Sequence, residues 1–176
     1  LNLNKKRLSF LKKILIIFKI NLLVITLFTS SAQAQVISVS TSSTVTINSN
    51  EDFVVNSGVT LSNTTSTANA GSSGSSIVLN RFTNNGTMQG SDLSGDIMTA
   101  FNSSTKTTFI NNGVMRGKDG INFYSSVSLT NNASKSIQGT DRAIHLRSGS
   151  TGTDLTNNGS IQGNYSSIRV YPGVTI

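Results

Sequence analysis

Four times the chain writes nearly the same phrase, each time around two adjacent asparagines. The copies are FTNNGTMQG at 82–90, FINNGVMRG at 109–117, LTNNASKSIQG at 129–139 and LTNNGSIQG at 155–163. The pairs Asn84-Asn85, Asn111-Asn112, Asn131-Asn132 and Asn157-Asn158 lie 27, 20 and 26 residues apart. Periods of about 20–50 residues belong to solenoids and other arrays. A unit that short cannot bury its own apolar face, so successive units must stack to form a core.

Each copy assigns the same physical role to the same place. Phe82, Phe109, Leu129 and Leu155 stand two positions before the pair. Met88, Met115, Ile137 and Ile161 form a second apolar position after it. Gly86, Gly113, Ala133 and Gly159 lie between, and Gly90, Gly117, Gly139 and Gly163 close the phrases. The third copy carries an insertion of two, aligned as Ser134-Lys135. An even insertion preserves which side chains face inward. A second short strand follows each phrase, with apolar residues at alternate places: Ile121/Phe123, Ile144/Leu146 and Ile168/Val170. After the first phrase the fit weakens, Ile97 matching while Thr99 takes the second place. Period two marks half-buried strands.

Two strands per repeat, stacked at ~4.8 Å on their counterparts, predict an all-β chain: a parallel β-solenoid. Asn-Gly is also a type I′ hairpin signal, which would give antiparallel pairs. Ala133 after Asn132 suits such a turn poorly, and the second strand of every repeat would then lack a partner. The stacked reading gives the asparagines two roles. They tolerate left-handed backbone at a tight corner, as glycine does, and in register they can hydrogen-bond along their column.

The segment LTNNGSIQG…AIHLRSGS…LTNNGSIQG resembles the passenger regions of Gram-negative autotransporters. The resemblance covers about 36–176 together with a long leader. It implies a right-handed parallel β-helix, exported and displayed at the cell surface, the outer membrane or in the medium. It also implies an outer-membrane barrel after the passenger. The chain reaches Ile176 in mid-rung with no barrel-like strands, so it is expected to be the N-terminal piece of a longer or broken protein. A solenoid ending in mid-rung exposes unpaired backbone, and residues 35–176 alone are expected to self-associate.

Net charge is +7, from 14 basic and 7 acidic residues. Six of the cations (Lys5, Lys6, Arg7, Lys12, Lys13 and Lys19) lie in 1–34, so the remainder is close to neutral and nucleic acid is not an expected partner. Residues 1–34 read as a helical secretory signal peptide: a basic stretch, an apolar run, then Ala32-Gln33-Ala34 as the small-x-small cleavage motif. Cleavage is expected after Ala34 by the Sec export pathway. An uncleaved anchor is the alternative, although Lys19 breaks the apolar run into pieces shorter than the ~20 residues a membrane helix needs. Residues 35–80 are expected to form irregular capping rungs through the pairs Val45/Ile47, Phe53/Val55 and Val59/Leu61. The low-complexity stretch 63–76 is read as a loop, and 81–176 as regular rungs.

Chemistry is sparse. Cysteine is absent, which excludes disulfides, thiolate metal sites and a cysteine nucleophile. His145 is the one imidazole and is expected to point outward as an ordinary surface histidine. No serine lies in G-x-S-x-G, so neither catalytic residues nor a cofactor are expected. Asp92, Asp119 and Asp141 each follow a closing glycine by two places. If those turns stack, they form a carboxylate column suited to Ca²⁺; solvated loop residues beside Lys118 and Arg142 are the plainer reading. The outward faces of the second strands give two columns, Asn122, His145, Arg169 and Tyr124, Arg147, Tyr171. The second is either a cross-strand ladder or a stripe that binds a host surface or glycan. The expected function is a surface structural and adhesive module. The alternatives are a piece of a β-helical glycan lyase or protease, and an inactive remnant of a broken gene.

Overall fold

The computed structural model describes residues 33–63, 67–69, 77–90 and 96–176. The signal-peptide reading of 1–32 lies outside them, as do Asp92 and most of the low-complexity stretch. The described chain is all-β and every strand pairing is parallel. The four copies build about four turns of a β-solenoid.

One six-stranded sheet stacks β1 (Ala34–Ile37), β3 (Asp52–Val55), β6 (Arg81–Asn84), β9 (Thr107–Asn111), β11 (Val127–Asn131) and β13 (Asp154–Asn157), in that order. The second sheet stacks β4 (Thr60–Asn63), β7 (Thr87–Gly90), β10 (Val114–Phe123), β12 (Ser136–Leu146) and β14 (Ser160–Gly163). The long strands β10 and β12 run on past their glycines, where β8 (Met98–Phe101) pairs with β10 and β15 (Ser166–Val170) with β12. A small third sheet joins β2 (Val45–Thr46) to β5 (Ala68–Asn69).

Register follows the repeat. Phe53, Phe82, Phe109, Leu129 and Leu155 are successive Cα partners in the first sheet. Leu61, Met88, Met115, Ile137 and Ile161 are so in the second. Ile121, Ile144 and Ile168 stack in the extensions. The two-residue insertion leaves Met115 opposite Ile137, so parity is kept. Its backbone strain falls on Ser134, which takes φ 62°.

The interior is an aromatic column. Phe82 stacks on Phe53 at 5.1 Å and on Phe109 at 4.2 Å, while Phe101 and Phe123 meet Phe109 edge-on at 5.6 and 5.4 Å. All five rings are fully buried. Each contributes ~1.5–3 kcal/mol through burial, with ring pairing adding ~0.5–1.5 kcal/mol. At the N-terminal end Gln35 stands opposite Phe53. Its amide bonds Thr46 O at 2.9 Å and accepts from Asn48 N at 3.0 Å, closing the core with a polar cap.

The first asparagine of each pair faces inward and forms a continuous ladder. Asn84 donates to Asn111 at 2.9 Å, Asn111 to Asn131 at 2.8 Å and Asn131 to Asn157 at 2.8 Å. Asn84, Asn111 and Asn131 are fully buried. The second asparagines form an outer ladder, with Asn112 donating to Asn85 at 2.9 Å and Asn132 to Asn112. The expected left-handed corner is corrected. None of these asparagines has positive φ, and neither do Gly86, Gly113 or Gly159. Glycine follows the pair for space: a Cβ on Gly113 would lie 2.0 Å from Gly86 O.

Two further expectations change. After the first phrase the inward pair is Met98 and Phe101, opposite Ile121 and Phe123, with an irregularity between them. The strict alternation Ile97/Thr99 is broken by an extra residue. Within 63–76, Ala68-Asn69 belong to a rung, and Thr67 and Ala68 are fully buried.

Candidate functional site

The two outward columns form as the repeat implies. In the extensions of β10, β12 and β15, Asn122, His145 and Arg169 are successive partners. Tyr124, Arg147 and Tyr171 stand two places further on, the ladder continuing through Arg147 N to Phe123 O (2.9 Å) and Tyr171 N to Leu146 O (3.0 Å). The Arg147 guanidinium lies 5.6 Å from the Tyr124 ring centre and 5.3 Å from that of Tyr171. It donates to Tyr171 Oη at 3.1 Å and to Asn122 Oδ1 at 3.0 Å. The stripe is therefore fastened across three coils, with half-buried rings and a guanidinium already engaged. Arg169 is its exposed member, 5.9 Å from the Tyr171 ring.

His145 is not an ordinary surface histidine. It faces away from the core, yet only 4% of it is exposed, because Tyr171 covers it at 5.3 Å between ring centres. Arg142 Nη1 approaches its Nδ1 at 3.4 Å. A guanidinium can only donate, so Nδ1 accepts and Nε2 carries the proton, with no hydrogen-bond partner of its own. Burial, then the charges of Arg147, Arg142 and Arg169, lower its pKa to about 4. At neutral pH the ring is uncharged.

The aspartate column does not form between the two members described. Asp119 stands opposite Arg142, not Asp141, because β12 has one more residue than β10 between its glycine and its inward isoleucine. Asp119 Oδ1 lies 3.4 Å from Arg142 Nε as an ion pair. The Asp119 amide donates to Asp96 Oδ1 at 3.1 Å. Burial raises the Asp96 carboxyl, the Asp119 charge adding to it against the opposing Asp119 amide, Lys118 and Arg142. Among the described residues no three metal-ligating side chains gather.

A feature not singled out in the sequence lies on the second sheet's outer face. Ser62, Gln89, Arg116, Gln138 and Gln162 are successive partners, each standing just before the glycine position that ends its strand or bends it. Arg116 Nε donates to Gln89 Oε1 at 2.7 Å. Beside them runs a groove of about 510 Å³, lined by Arg116, Gln138, Thr140, Gln162, Asn164 and Ser167 over Gly117, Gly139 and Gly163. A Cβ on Gly139 would lie 1.8 Å from Arg142 O, and one on Gly163 2.2 Å from Ser166 O, so glycine is what lets the strand bend there. A second hollow of about 470 Å³ is lined by chain neighbours of those residues, Asp141, Arg142, Tyr165, Ser166 and Arg169. The signal for this groove was the repeated Gln-Gly or Arg-Gly that closes each phrase.

Comparison of the chain with known protein families, curated proteins and solved structures returns no match.

Proposed function

We propose that this chain is an exported structural and adhesive module of the autotransporter-passenger kind, meeting other surfaces through the long outer faces of its solenoid. In this reading the leader delivers it to the Sec machinery, cleavage follows Ala34, and an outer-membrane barrel made with it places it at the surface of a Gram-negative cell. The observation that carries the reading is the stacking of outward side chains in register, coil upon coil, on either side of the bend at the closing glycines. Such ladders repeat one chemical group along an axis, which suits repetitive surfaces and polymers. The module is read as binding rather than catalytic. In support, its one imidazole is covered, uncharged at neutral pH and ringed by arginines.

The test is attachment. Beads coated with the purified chain should be retained on cultured host cells or immobilised glycans well above beads coated with an inert protein. Tyr171→Ala should reduce retention severalfold while the far-ultraviolet circular dichroism stays β-rich. Retention no better than the inert control defeats the adhesive reading. Retention unchanged by Tyr171→Ala removes the stripe from it.

A further inference from the structure

Charge within the solenoid is segregated. From residue 35 onward the chain has eight basic residues, and five of them (Arg116, Lys118, Arg142, Arg147 and Arg169) fall in β10, in β12 and β15 or directly after β12. Acidic residues there are Asp119 and Asp141, with Asp96 stacked beside Asp119. The ion pairs of the described residues are Arg142–Asp119 and Lys106–Asp154. Arg116 and Arg169 are exposed and have no carboxylate partner among the described residues. They line the two hollows, Arg116 one and Arg169 the other.

The rest of the first hollow's lining is neutral and polar, while the second also holds Asp141 and Arg142, whose charges offset each other. Amides of Gln138, Gln162 and Asn164 and the Thr140 and Ser167 hydroxyls offer both donors and acceptors. In the second hollow Tyr165 is 86% exposed. Amides repeated at coil spacing match the hydroxyl pairs of a sugar chain. An exposed ring gives the apolar face of a pyranose a platform, and uncompensated guanidiniums call for an oxyanion. Single-stranded nucleic acid is the weaker fit: it needs successive aromatic platforms and a strongly positive track, and here a single tyrosine and a small excess of charge are present.

We propose that these two hollows, lined by neighbouring residues of the same segments, together bind an acidic oligosaccharide, its hydroxyls held by the glutamine column and its carboxylate or sulfate by Arg169 and Arg116. The proposal rests on the surface-module reading and supplies its ligand class. The column from Arg116 through Gln138 to Gln162 spans three coils, so this part of the ligand follows the solenoid axis over two stacking intervals of ~4.8 Å before it turns along the strands toward Arg169.

Fluorescence anisotropy with labelled hexasaccharides at physiological salt tests it on the purified chain. The probes are a uronate oligomer, a sulfated oligomer, a neutral glucose oligomer and a thymidine oligonucleotide. At least one acidic sugar should bind about tenfold or more tighter than the neutral one, and whichever it is identifies the oxyanion. Arg169→Gln and Gln162→Ala, both at exposed positions, should each weaken it about tenfold, with thermal unfolding unchanged. Equal affinity for the neutral sugar, tighter binding of the oligonucleotide, no acidic-sugar binding, or unaffected variants would each overturn the assignment. Bead retention separates this from the broader reading. Wild-type and Arg169→Gln beads retained alike would leave the surface module standing and remove the groove. Acidic-sugar binding in solution without bead retention would do the reverse.

Discussion

Asn111 shows what one residue of this repeat does. Its amide accepts from Asn84 and from Gly113 N at 3.2 Å, and donates to Asn131, all with no exposed surface. Truncation would take the donor from Asn131 Oδ1 and leave Asn84 Nδ2 only a long bond to Val114 O at 3.4 Å, and an unsatisfied buried polar group costs ~1–3 kcal/mol. Asn111→Ala should therefore lower the free energy of urea unfolding by at least about 2 kcal/mol. Asn112→Ala, on the half-buried outer ladder, should cost about 1 kcal/mol or less. Equal losses would mean the inner ladder has no special weight. His145 belongs to the same scale. Its pKa is about 4 folded against 6.5 for the free side chain. Between those values the unfolded chain binds more protons, so stability is full above pH ~6.5 and falls as pH drops toward ~4. Asp96, whose carboxyl is raised, works in the opposite sense, favouring the fold as it protonates, and offsets part of the loss at the acid end. Melting temperatures from pH 7 to 4.5 should fall less in His145→Gln than in the wild type. Parallel pH profiles would show that the imidazole does not titrate on unfolding.

Between coils the unit of stability is the column. Phe53, Phe82 and Phe109 stack, then Leu129 and Leu155 continue the same position. Phe109 meets three rings, Phe82, Phe101 and Phe123, and stands opposite Leu129 of the next coil, so Phe109→Ala should cost ~3–5 kcal/mol in denaturant unfolding. Phe109→Leu, which reproduces the residue of the next coil, should cost under about 1.5 kcal/mol; a loss as large as alanine's would show that ring stacking, not volume, sets the position. This column was legible from sequence because equal spacing and equal chemistry recur four times, and the parallel pairing follows from it. The extra residue of β12 was visible as a longer distance from Gly139 to Ile144 than from Gly117 to Ile121, which already favoured separate loop aspartates over a column, and it sets Arg142, not Asp141, beside Asp119. What escaped was set by a single residue that changes parity: one extra residue in β8 moves the inward pair to Met98 and Phe101. The cover over His145 was equally hidden, since Tyr171 and Arg142 reach it from another coil and from three residues back. The Gln-Gly repeat was visible, but only the bend at Gly139 and Gly163 turns that row into a groove.

The whole solenoid behaves as a one-dimensional array, each coil supported by its neighbours. Support is unequal along it. Phe109, Met115 and Ile121 are fully buried, whereas Leu155, Ile161 and Ile168 in β13–β15 are only partly so. Amides with few buried contacts open at lower free energy. Hydrogen exchange should thus be slowest in β9–β12 and at least about tenfold faster in β13–β15. Uniform protection would mean that the array opens only as one unit. The groove makes this gradient informative about binding, because Gln138 belongs to β12 and Gln162 to the less protected β14. A sugar bridging them binds only the closed arrangement, and a ligand that favours one state shifts the opening equilibrium toward it. A saturating acidic hexasaccharide should slow exchange in β14 and β15 severalfold and leave β9 and β11, on the other sheet, as they were. Slowing spread evenly over all coils would point to general electrostatic shielding instead of a site that ties one coil to the next.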